Sequence, residues 1–65
     1  MTLDDIRSRL EEIASLCHDD EVAHIREDAL YFDLLMFLAQ RDDDVGALCN
    51  LALQSGAIGF ERWCA

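Results

Sequence analysis

Apolar residues recur at Leu3, Ile6, Leu10, Ile13 and Cys17, and again at Val22, Ile25, Ala29, Phe32 and Met36. In both runs the intervals are three, four, three, four. That spacing lines one face of an α-helix and fits no strand, whose faces alternate every second residue. The chain has no proline and three glycines, Gly46, Gly56 and Gly59, so few residues interrupt a helix. An all-α fold follows: a small three-helix bundle with a short C-terminal helical turn.

The helix starts are marked by acids. Thr2 is suited to cap the first helix, and Asp5 three residues later gives a shortened capping box. Asp4 and Asp5 also suit the positive end of the helix dipole. The first helix is expected to end near Leu16 to His18. Asp19, Asp20 and Glu21 then break and restart the chain, with Asp20 as the expected N-cap. The second helix is predicted over about Glu21 to Arg41. Beside its main stripe it carries a second one, Leu30, Leu34, Phe37 and Arg41. From Leu30 to Ala39 only Asp33 interrupts the apolar run with a charge. A helix apolar nearly all round is either central or shared. Two neighbours in a 65-residue chain cannot cover it, which predicts a homodimer or a protein partner at this end. Asp42, Asp43 and Asp44 start a third helix, with Asp44 as the expected cap. Val45, Leu48, Cys49, Ala52 and Leu53 form its apolar face and Gly56 its C-cap. Phe60, Trp63 and Cys64 fall at i, i+3, i+4. One helical turn there would either close the core with two aromatics or present an aromatic anchor.

A chain of this length makes one domain and buries only about 60% of its unfolded surface. Small domains of this kind gain stability from disulfides, metals or a second subunit. The three cysteines, Cys17, Cys49 and Cys64, form an odd set without CxxC spacing. Buried thiols in a reducing compartment are the expectation. The start Met1-Thr2-Leu3-Asp4-Asp5 lacks the basic and apolar segments of a secretory signal. The longest apolar-rich stretch is too short to span a bilayer. The expected location is the cytoplasm.

Charge is the second constraint. Fourteen residues are Asp or Glu and five are basic, all of them Arg, for a net charge of −9. Twelve acids fall in clusters: Asp4-Asp5, Glu11-Glu12, Asp19-Asp20-Glu21, Glu27-Asp28 and Asp42-Asp43-Asp44. Such a body repels nucleic acid and anionic membrane and attracts basic protein surfaces. The clusters serve capping and solubility in one reading. In the other they imitate a nucleic-acid backbone, with Asp19, Asp20, Glu21, Glu27 and Asp28 as partner-binding residues and Asp42, Asp43 and Asp44 next.

Chemistry has less support. The chain holds no Gly-rich phosphate loop, no GxSxG, no HExxH and no ExxE, so no catalytic residue, metal or cofactor is assigned. His24, Asp28 and Tyr31 at i, i+4, i+7, with Glu27 beside them, form either a surface ion pair or the start of a metal-dependent hydrolase site. Cys17, His18, His24, Cys49 and Cys64 match no zinc-finger spacing.

Two segments resemble a known group. Ala23-His24-Ile25-Arg26-Glu27-Asp28 matches an AHxxED segment, and Phe60-Glu61-Arg62-Trp63-Cys64-Ala65 matches FxRWxA. The chain thereby resembles small acidic helical proteins encoded by phages and prophages. The resemblance covers the second helix and the tail, and makes His24, Glu27 and Asp28 better site candidates. In size, charge and helical character the chain is similar to phage anti-CRISPR inhibitors, which occupy DNA-binding surfaces. That analogy implies an inhibitor in a bacterial host, aimed at a nucleic-acid-handling complex of the type I CRISPR class. An adaptor binding through Leu34, Met36, Phe37 and Leu38 is the competing expectation.

Overall fold

The computed structural model describes residues 1–60, and these are all-α. Helix α1 spans Leu3–Ser15, α2 Asp20–Leu38 and α3 Asp44–Leu53, followed by a 3₁₀ turn at Gln54–Ala57. The first start matches expectation. Thr2 Oγ1 accepts from the Asp5 amide at 3.1 Å, and Asp5 Oδ2 accepts from the Thr2 amide at 2.8 Å. These reciprocal bonds satisfy two donors that a helix start otherwise leaves open.

At the other two starts the cap lies one residue earlier than expected. Asp19, not Asp20, caps α2 by accepting from the Val22 amide at 3.2 Å. Asp43, not Asp44, caps α3 by accepting from the Gly46 amide at 3.1 Å. In each triad the cap needs extended backbone and an oxygen three residues short of a free amide. The acid that follows joins the first turn instead. Helix α2 stops at Leu38, three residues short of Arg41. Gly56 is not a C-cap: α3 ends at Leu53, Gln54 follows in right-handed helical geometry, and the chain tightens into the 3₁₀ turn. No described glycine has positive φ. The turn expected at Trp63 and Cys64 lies outside the described residues.

The three helices form a single layer. Arg9 on α1 reaches Asp33 on α2, and Glu12 faces Arg26, so α1 and α2 run antiparallel. Helix α3 packs on the other flank of α2 and does not touch α1. The Cα envelope measures 39 × 33 × 9 Å, and its short dimension is that of one helix. The radius of gyration is 13.7 Å, against about 11 Å for a compact domain of this length.

The core is correspondingly thin. Leu30 and Cys49 are the buried apolar side chains among the described residues, with Gly46 buried beside them. On α1 the face turned inward is Ile6, Arg9 and Ile13, continued by Leu16 just past its end; each is half-buried, while Leu3 and Leu10 are exposed. The main stripe of α2 is largely bare: Ile25, Phe32 and Met36 are each about half exposed. On α3 the packed face is Gly46, Cys49 and Leu53. Val45 and Ala52 of the expected face are exposed, and Leu48 is 67% exposed. Cys17, expected to be buried, is exposed. One cause underlies these differences. Helical spacing identifies an apolar stripe, but a single layer covers α2 only on its two flanks.

Candidate interaction ridge on helix α2

Helix α2 places the expected acids in two groups. Asp19, Asp20, Glu21, Glu27 and Asp28 belong to its first three turns. Asp42, Asp43 and Asp44 follow its far end. The helix has 19 residues, or about 28 Å at 1.5 Å per residue, so the two triads do not converge.

Within the first group the helix does bring side chains together. At 3.6 residues per turn, Asp20, Glu21, His24, Glu27 and Asp28 fall within about 120° of arc. Asp19 caps their head. Asp19, Asp20, Glu21 and Asp28 are exposed and Glu27 is half-buried. His24 lies in the middle of the arc. Its Nε2 is 3.6 Å from Asp28 Oδ2 and its Nδ1 is 4.0 Å from Glu27 Oε1. Both distances exceed hydrogen-bond length, so the imidazole stands between two carboxylates without fixing either.

The rest of the charge is accounted for differently. Each described arginine faces a carboxylate outside the ridge. Arg7 Nη1 is 3.1 Å from Asp4 Oδ1, and Arg9 Nη1 is 2.8 Å from Asp33 Oδ2. Arg26, although sequence-adjacent to Glu27, turns to Glu12 on α1 at 3.8 Å. Arg41 grips Asp43: its Nε donates to Oδ1 at 3.2 Å and Oδ2 at 3.0 Å, and its Nη2 donates to Oδ2 as well. No described arginine pairs with Asp19, Asp20, Glu21, Glu27 or Asp28. Five carboxylates thus line about 13 Å of helix, one per roughly 2.7 Å. A single DNA strand carries one charge per about 3.4 Å, and duplex one per about 1.7 Å.

The Asp42–Asp44 triad is less available. Asp43 is committed to Arg41 and to the α3 cap, and both hold its carboxyl below its ordinary value of 3.8, the arginine contact foremost. Asp42 and Asp44 remain exposed on either side.

Four structural residues escaped the sequence reading. Arg9 and Asp33 clasp α1 to α2. Asn50 donates through Nδ2 to the Ala39 carbonyl at 2.8 Å and to the Gly46 carbonyl at 3.1 Å, tying α3 to the end of α2. The fourth point is Gly46. A Cβ there would stand 2.0 Å from the Arg41 carbonyl oxygen, so the α2–α3 turn closes only over glycine. Helical spacing carries no signal for any of these, because each acts between elements.

Among the described residues no group of three or more His, Cys, Asp or Glu side chains is placed to hold a metal ion. Among them, too, no helix is long and apolar enough to cross a membrane. A shallow apolar hollow of about 360 Å³ lies on α3, lined by Asp44, Ala47, Leu48 and Leu51. No family model, curated protein or solved structure matches the chain.

Proposed function

We propose that this chain acts by binding: the acidic ridge of α2 enters an Arg- and Lys-lined groove of a nucleic-acid-handling protein complex and excludes the nucleic acid. The supporting observation is the uncompensated arc of Asp19, Asp20, Glu21, Glu27 and Asp28. Capping accounts for Asp19, and Asp20 and Glu21 suit the positive end of the helix dipole, but neither accounts for Glu27 and Asp28 further along the same face. The nearest arginine in sequence, Arg26, sits on the flank of α2 that faces α1 and pairs with Glu12 there. The linear charge density of the ridge lies between those of single-stranded and duplex DNA, so a groove built for phosphates meets a similar field. Asp42 and Asp44 extend the acidic surface at the far end of the helix. The setting is the cytoplasm of a bacterial cell, and the first target class to test is a type I CRISPR surveillance complex, as the resemblance to phage proteins implies.

The test is competition. Duplex DNA is bound to such a complex and displaced with increasing amounts of the chain, at low and at high salt. Displacement that weakens steeply with salt is the expected result, because charge-driven contacts are screened. Equal potency at both salt concentrations would contradict the proposal.

A further inference from the structure

The layer described above is half of a usual fold. Stable domains pack two layers of secondary structure around one core, and here one layer 9 Å thick leaves a face of α2 bare. That face is defined by arc. Phe32, Ile25, Met36, Ala29 and Val22 occupy a sector of about 80°, and no charged residue of α2 falls within it. Phe32 is 54% exposed, Met36 47% and Ile25 45%. The sector lies beside the acidic ridge without overlapping it.

We propose that a second copy of this chain stacks on that sector and supplies the missing layer. Three observations favour a copy over an unrelated partner. The first is area. The chain exposes 5286 Å², about 1,100 Å² more than a compact monomer of its mass. Homodimers of the obligate kind bury about 1,000 Å² or more per subunit. The outline of the layer, 39 by 33 Å, encloses roughly 1,300 Å² and accommodates that footprint. The second is charge. A chain of net charge −9 meets least repulsion from its own copy across a surface without charge, and the sector carries none. The third is polarity along α2. Its acids crowd the first half, and its second half, from Leu30 to Leu38, carries only Asp33, already paired with Arg9. An antiparallel, two-fold arrangement with Ala29 near the axis lays the acidic half of each α2 over the neutral half of the other and keeps Phe32 within one turn of the axis. A parallel one would align the two ridges. The symmetric contact is self-complementary, and it leaves Asp20 and Glu27 facing outward on both copies, with Glu21 at its border.

The salt response distinguishes this contact from binding at the acidic ridge. Ridge binding is attraction between opposite charges and weakens with salt, whereas self-association opposes like charges and tightens with it. Sedimentation equilibrium of the full chain, from micromolar to millimolar concentration and at two salt concentrations, decides the stoichiometry. Twice the 7.4 kDa chain mass, reached at lower concentration in high salt, is expected. The mass of one chain throughout would overturn the proposal. Location is read from Phe32→Glu, which should weaken self-association about 30-fold or more, as loss of a central aromatic anchor does; unchanged association would overturn it. If that variant loses its helical circular dichroism, the wild-type chain supplies the readout. A soluble paramagnetic agent should broaden the Phe32 and Met36 side-chain signals in dilute samples and spare them in concentrated ones. Equal broadening in both would also overturn it.

Discussion

Gly46 is the residue on which the turn between α2 and α3 depends. Its hydrogen occupies the only space left beside the Arg41 carbonyl, and its amide feeds the Asp43 cap. Gly46→Ala is expected to destabilise the fold by about 1–3 kcal/mol, the usual cost of forcing an extra methyl into a packed site. Urea unfolding followed by circular dichroism measures it. Reading the sequence assigned a role to Gly56 and none to this glycine, because the close approach is made by a residue five positions away across a turn. Asp5 and Asp43 give the residue-scale response to pH. Thr2, through its amide and then its hydroxyl, lowers the Asp5 carboxyl, and Arg41 followed by Gly46 lowers that of Asp43. A carboxyl lowered in the folded state stabilises it fully above the unfolded value and progressively less as pH falls through the folded value. Helicity at the starts of α1 and α3 should therefore hold at neutral pH and fall below about pH 4. Amide chemical shifts of Asp5 and Gly46, followed on acidification, report it. Asp43→Asn should remove the acid-dependent step at Gly46 and leave the one at Asp5.

At the scale of the element, α2 was the most legible part of the chain and also the most misread. Its existence follows from the recurrence of Val22, Ile25, Ala29, Phe32 and Met36, and its acidic start from Asp19 to Glu21. Its apolar surplus, read from Leu30 to Ala39, correctly pointed to incomplete covering. Which residues stayed uncovered was not legible, since spacing places residues on a face without saying what that face meets. Here the buried residue is Leu30, from the second stripe, and the main stripe is open. Leu30→Ala should cost about 2–5 kcal/mol, a large part of what a domain of this size has, whereas Phe32→Ala in a dilute sample should cost much less. Thermal melts of the two variants give the ranking, and a reversed order would place the core on the wrong face. The acidic ridge is likewise a property of the element. Arg26 is its neighbour in sequence but lies about 100° outside the arc, on the flank that α1 covers, where its guanidinium faces Glu12.

For the whole molecule, three helices in one layer explain together the thin core, the large radius and the two uses of α2. In the proposed arrangement one sector would meet a copy and the adjacent sector a basic partner, so that the contact completing the core would also double the acidic surface. The central claim is that position, not total charge, makes the ridge a recognition surface. The most direct measurement compares two variants of equal net charge in competition with duplex DNA for a type I CRISPR surveillance complex. One carries Asp20→Asn, Glu27→Gln and Asp28→Asn; the other carries Asp4→Asn, Glu11→Gln and Glu12→Gln, acids outside both the ridge and the Asp42–Asp44 triad. The expected result is loss of competition, by about 100-fold or more, in the first and a small change in the second. Equal losses in the two, or full potency in the first, would contradict it.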